Sequence, residues 1–148
     1  MSKNLNTEQK YKYTLHNHEL KHVSKQKDLG LTIDHRLKFT EHIAAKVKTA
    51  NAMMGLIRRS FSFLDGPLFL KLYTAFVRPH LEYAQATWSP FLKKEIDMVE
   101  NVQRRATKLI DGFPKFLYSE RLTKLNLPTL MYRRMRADMC EIYKHFNC

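Results

Sequence analysis

Seven apolar residues, Phe39, Ile43, Val47, Ala50, Met54, Ile57 and Phe61, follow one another at spacings of 4, 4, 3, 4, 3 and 4. That rhythm matches the 3.6-residue period of an α-helix and lines all seven on one stripe. It predicts a helix of about six turns that must bury its stripe against something else. Thr40 is read as its N-cap, Glu41 favours its first turn, and Arg58 and Arg59 favour its last. Asp65-Gly66-Pro67 closes this unit and opens the next.

The same period recurs downstream. Phe69, Tyr73, Phe76, His80 or Leu81, and Ala84 form a stripe between Pro67 and Trp88, with a kink or break expected at Pro79. Ile96, Val99, Gln103, Ala106 and Ile110 form another from about Leu92, with Gly112 as the residue past its end. A short helix is expected from Ser119 to Leu125, capped by Ser119. A last helix, capped by Thr129, carries Leu130, Met131, Met135, Met139, Ile142 and Phe146 as its core stripe, with Cys140 also read as a core residue.

The first 35 residues have a different period. Tyr11, Tyr13 and Leu15 alternate with Lys10, Lys12 and Thr14, as on a half-buried strand. Asn17-His18 is read as a turn, Leu20 to Val23 as the returning strand, and Leu29, Leu31 and Ile33 as a third. Three short strands do not make a core, so they need something to pack on. The expected fold is mainly α, a bundle of four to five helices over residues 36–148 behind a small antiparallel β segment over residues 1–35.

Composition narrows the partners. The 148 residues hold 26 Lys and Arg against 14 Asp and Glu, a net charge of +12, and 44% are hydrophobic, enough for a packed core. Residues 1–35 contribute +2 of that charge, and residues 36–92 and 93–148 contribute +5 each. The charge therefore sits on folded helices and not on a tail, which favours a polyanion, nucleic acid first. Two cysteines, Cys140 and Cys148, exclude a disulfide scaffold and fit a reducing, intracellular setting. No run reaches the roughly 18 apolar residues of a membrane span, so no membrane partner is expected.

Residues 18–22, His-Glu-Leu-Lys-His, match the zinc-hydrolase string H-E-x-x-H. On a helix, His18 and His22 would share a face, with Glu19 activating water and Glu41 at a distance tolerable for a third ligand. The strand pattern argues against it, because four residues of strand separate the histidines by about 13 Å. Lys25 also stands where one zincin type requires glycine. Asp34, Asp65, Asp97 and Asp111 form no paired carboxylate motif, and there is no glycine-rich phosphate loop. No catalytic residue, metal or cofactor is assigned.

The basic clusters carry more. Arg58-Arg59, Arg104-Arg105 with Lys108, and Arg133-Arg134 with Arg136 fall on three separate helices, and Arg78 falls on a fourth segment. Adjacent arginines cannot both face a core, so at least one of each pair reaches the surface. If these surfaces converge, they would hold backbone phosphates by charge and forked hydrogen bonds. If they do not, they are solvated helix faces.

Several strings together resemble one family. Residues 27–34, Lys-Asp-Leu-Gly-Leu-Thr-Ile-Asp, are followed by Leu37-Lys38-Phe39 and His42-Ile43. Val77-Arg78-Pro79-His80-Leu81-Glu82-Tyr83-Ala84 precedes Trp88-Ser89-Pro90. Val102-Gln103-Arg104-Arg105-Ala106-Thr107-Lys108 precedes Leu125-Asn126-Leu127-Pro128-Thr129-Leu130 and Tyr132-Arg133-Arg134. In order and spacing, residues 10–146 resemble the C-terminal part of a jockey-like non-LTR retrotransposon reverse transcriptase.

The resemblance implies the trailing edge of a polymerase palm followed by its thumb, the part that holds a template–primer duplex. The family's aspartate-pair motif would lie upstream of Met1, so the implied chain is a fragment of an RNA-directed DNA polymerase that is not catalytic by itself. Its implied partners are an RNA–DNA or RNA duplex backbone and the missing palm and fingers. The second expectation is a decayed or domesticated helical protein with no activity or a protein-interaction role.

Overall fold

The computed structural model describes residues 13–21 and 23–147. Lys10, Tyr11, Lys12, His22 and Cys148, used above, lie outside the described residues. The rest is mainly helical, with two small antiparallel two-stranded sheets ahead of the helices.

Strands β1 (Thr14–Leu15) and β2 (His18–Glu19) form the first hairpin. Its turn is His16-Asn17, both at positive φ, one residue earlier than the sequence suggested. The returning strand is therefore His18–Glu19 and not Leu20 to Val23. A left-handed pair matches the twist of a two-residue hairpin, and asparagine tolerates it best. Strands β3 (Lys25–Asp28) and β4 (Leu31–Asp34) form the second hairpin around Leu29-Gly30. Gly30, at φ +80°, supplies the turn that splits the expected Leu29–Ile33 strand.

Only β4 finds a core. Leu31 is buried and Ile33 packs against the helices. Three contacts tie this hairpin to the helical body. The Thr32 N–H donates to His42 Nδ1 at 3.2 Å, the Tyr83 hydroxyl donates to the Leu29 carbonyl at 3.0 Å, and Lys25 pairs with Glu41 at 2.5 Å.

Helix α1 (Thr40–Ser60) buries Ile43, Val47, Ala50, Met54 and Ile57 of the expected stripe, and also His42. Phe39, ahead of it, is partly buried, and Phe61, past its end in extended backbone, is exposed. Thr40 does not cap it. Its hydroxyl donates instead to the buried carboxylate of Glu95 at 2.6 Å, 55 residues on in the chain. Asp65 caps α2 (Gly66–Leu72) through the Leu68 N–H at 2.8 Å.

A π-helical turn, Tyr73–Val77, joins α2 to α3 (Arg78–Glu82). The Arg78 N–H reaches back five residues to Tyr73. Pro79 cannot donate to the carbonyl four residues before it, and widening the turn relieves the clash of its ring there. The wider turn shifts the buried phase to Tyr73, Val77 and Leu81, and Phe76, expected inside, is exposed. Ala84, at φ +51°, then redirects the chain into α4 (Gln85–Trp88).

Helix α5 (Lys93–Ala106) crosses α1 and buries Val99, Val102, Gln103 and Ala106. A 3-10 turn, Thr107–Leu109, ends it. Helix α6 (Tyr118–Leu125) starts one residue before the expected position, so Ser119 lies within it. Glu120 accepts from the Leu117 N–H at 2.8 Å there. Thr129 caps α7 (Leu130–Asn147) as expected, its hydroxyl accepting from the Tyr132 N–H at 3.1 Å. Helix α7 departs from expectation in packing. Leu130 and Arg134 are its buried residues, while Met131, Met135, Met139, Ile142, Phe146 and Cys140 are exposed.

Candidate nucleic-acid interface

The last turn of α1 and the C-terminal end of α5 bring basic side chains to neighbouring clefts. The first, about 530 Å³, lies among Arg58, Phe61, Leu64, Lys108 and Asp111. The second, about 500 Å³, lies among Asn101, Arg104, Arg105, Lys108 and Arg121. Lys108 lines both and joins them into one basic surface. The cations sit where the partial negative charge of helix C-termini favours them.

Their counter-charges are scarce. Among the described residues, no ion pair joins Arg58, Arg59, Arg104, Arg105 or Lys108 to a carboxylate. Asp111, in the first cleft, is occupied with the backbone: its Oδ2 accepts from the Leu64 N–H at 2.9 Å. Arg105 Nε donates to the Asn101 carbonyl at 3.3 Å, one turn back on its own helix. The Arg104 guanidinium lies 5.2 Å from the Tyr118 ring centre, a cation–π contact that steadies it, and its Nη1 donates to Asn101 Oδ1 at 3.4 Å.

A buried layer fixes these arginines from behind. Arg121 is buried, donates Nη1 to the Arg104 carbonyl at 3.1 Å, and its guanidinium also lies 5.6 Å from the Tyr118 ring centre. Its Nε is buried without a partner. The Tyr118 hydroxyl donates to Glu100 and accepts from Gln103 Nε2 at 3.1 Å. Burial, reinforced by Glu100, pushes the Tyr118 phenol well above its usual range, so it stays protonated.

The other expected basic residues do not join this surface. Arg133 forks onto Glu82, Nε to Oε1 at 2.5 Å and Nη2 to Oε2 at 3.1 Å. Arg78 approaches the same carboxylate at 3.6 Å. The carboxylate hydrogen bond raises the Arg133 pKa, against a smaller opposing effect of burial. Arg133 locks α7 to α3, while the Arg78–Glu82 pair lies within α3. Arg134 is buried, and desolvation lowers its pKa. It cannot reach a phosphate in solution. Arg136 lines a separate cleft of about 250 Å³ with Tyr132 and Cys140. So two of the three arginine-bearing helices converge, and α7 contributes its cations elsewhere.

Sequence reasoning missed Arg121, Tyr118 and Asn101. Asn101 lies one turn before Arg105 on α5, a spacing visible in the sequence. Arg121 and Tyr118 come from α6, and only the packing of that helix against the 3-10 turn brings them in.

The zinc reading does not hold in its helical form. His18 and Glu19 lie in strand β2, and His22 is outside the described residues. Among the described residues, no three His, Cys, Asp or Glu side chains are grouped to hold a metal. No helix of the described residues is long and apolar enough to cross a membrane.

No protein-family model matches the chain, and no solved structure matches it. It is 25% identical over 115 residues to an uncharacterized protein of Caenorhabditis elegans, an alignment that covers 76% of this chain. The chain spans a little over half of that relative's length, 58%.

Proposed function

We propose that this chain is a backbone-binding helical module, the thumb-like part of a reverse transcriptase of the jockey-like kind it resembles. Its job is to hold a template–primer duplex by its phosphates, without sequence choice, while polymerisation is carried out by a palm and fingers outside this chain. The observation that carries the reading is that, among the described residues, Arg58, Arg104, Arg105 and Lys108 line two adjoining clefts with no ion pair to a carboxylate. Forked guanidinium donors suit phosphate oxygens, and backbone contacts carry no base preference.

The test is titration of labelled RNA–DNA and RNA duplexes of unrelated sequence. Replacing Arg104 and Arg105 with Ala weakens every duplex by a similar factor, about tenfold or more at low salt. Equal affinity of the wild type and this double variant would refute the proposed surface.

A second reading, a helical protein whose role is protein interaction, is favoured by the exposed apolar stripe of α7. It predicts no duplex binding at low salt.

A further inference from the structure

Beyond Arg134, every described residue of α7 is exposed. Residues 135–147 therefore extend from the body as a helix of about 20 Å. A free helix of that length is marginal in water, so it gains from a partner. Met135, Met139, Ile142 and Phe146, spaced 4, 3 and 4, place one seam along it and are each between 52% and 84% exposed. That is the alternating spacing of a two-helix seam.

We propose that this seam is a self-association surface, on which a second copy of this chain lays the same helix antiparallel. Charge favours a second copy. Within a chain of +12, residues 135–147 carry no net charge, because Arg136 and Lys144 are matched by Asp138 and Glu141. Two copies can meet here without the repulsion that acts over the rest of the molecule. A polyanion finds no attraction on the same segment.

Antiparallel alignment follows from both ends. Each body sits at the N-terminal end of its α7, so antiparallel helices hold the two basic bodies apart, whereas parallel helices bring them together. With Met139 opposite the partner copy's Ile142, Met135 falls opposite Phe146. In that register, Arg136 flanks the seam beside the partner copy's Tyr143, a cation next to an aromatic ring. On the other flank, Asp138 stands beside the partner copy's His145. The four seam residues and Tyr143 each uncover on the order of 100 Å² or more. Two copies then bury about 1,000–1,200 Å², at the threshold of a specific interface, so the dimer is a weak one.

Sedimentation velocity of the nuclease-treated full chain at high salt tests this. The expected result is a monomer–dimer equilibrium with a micromolar Kd. Met139→Glu or Ile142→Glu raises that Kd about a hundredfold, with the near-ultraviolet signal of the buried Trp88 unchanged. Met139→Gln, gentler on the helix, moves it the same way. Asp138→Lys weakens association, and adding His145→Asp restores it. A chain that stays monomeric to high micromolar concentration overturns the proposal, as does a dimer indifferent to Met139 and Ile142. Failure of the exchanged Asp138–His145 pair to restore association overturns the antiparallel register.

Discussion

The hydroxyl of Tyr73 donates to the side-chain carbonyl of Gln103 at 2.9 Å, in the centre of the helical body. Gln103 uses its amide fully. Its Nε2 donates to the Tyr118 hydroxyl at 3.1 Å and to the Pro128 carbonyl at 3.0 Å. One buried side chain thus ties the π-helical turn, α5, α6 and the start of α7. It also fixes the rotation of α5, and with it the outward aim of Arg104 and Arg105. Burial lifts the Tyr73 phenol far above its usual range, so its donor role does not change with ordinary pH.

Gln103→Ala therefore strands the Tyr73 hydroxyl and the Pro128 carbonyl together. The expected cost is about 2–4 kcal/mol, read as a lower urea midpoint at unchanged slope. Tyr73→Phe removes one donor and leaves Gln103 its other two bonds, so about 1–2 kcal/mol is lost. A Gln103→Ala cost below that of Tyr73→Phe would contradict the role given to the amide.

Glu82 joins α3 to α7 through Arg133 and is approached by Arg78 one turn before it on α3. Glu82→Gln leaves both guanidinium groups without their counter-charge. Because the pair is only partly buried, the expected loss of stability is about 1–2 kcal/mol. Urea unfolding at low and high salt checks it, the difference shrinking as salt screens the charges.

His42 sets a pH dependence. Its Nδ1 accepts from the Thr32 N–H, its ring lies 5.5 Å from that of Trp88, and its Nε2 is buried without a partner. Burial, with a smaller contribution from Lys46, lowers its pKa below the ordinary 6.5. The folded state thus prefers the neutral ring. That contribution is complete above 6.5 and is lost as pH falls through 6.5 toward the folded-state value. Protonation at Nδ1 also removes the acceptor that holds β4 to α1. Stability measured between pH 7.5 and 5 falls in the wild type, and the part due to His42 is missing in His42→Gln. Hydrogen exchange at the Thr32 amide quickens over the same interval. Parallel pH profiles for the two proteins would contradict this account.

The expected helix positions follow the chain closely, and the misses have physical causes. The stripe from Ile43 to Ile57 was legible because a helix period is a local property, whereas Phe61 falls where the helix has ended and is exposed. Phe76 was misplaced because the π-helical turn before Pro79 adds a residue to the repeat, which a fixed period cannot express. On α7 the reading grouped Leu130 with Met135, Met139, Ile142 and Phe146 and set Arg134 apart, whereas Leu130 and Arg134 are the buried residues; periodicity says which residues point together and not what covers them. Of the three arginine pairs one divided, Arg134 inward and Arg133 outward, while Arg58, Arg59, Arg104 and Arg105 are all exposed. That Arg133 would meet Glu82, 51 residues away, depends on tertiary packing and left no trace in spacing. Within the basic surface, Arg104, Arg105 and Lys108 were legible as one helix end, whereas the supporting Arg121 was not.

The salt dependence of duplex binding tests the central claim most directly. Four cations with no ion pair among the described residues, Arg58, Arg104, Arg105 and Lys108, release up to about four counterions on binding. A log–log plot of affinity against salt on B-form DNA then has a slope of about −3 to −4. The Arg104→Ala, Arg105→Ala double variant reduces its magnitude by about 2. A flat plot, or a slope that the double variant leaves unchanged, would contradict a phosphate-holding surface at this place.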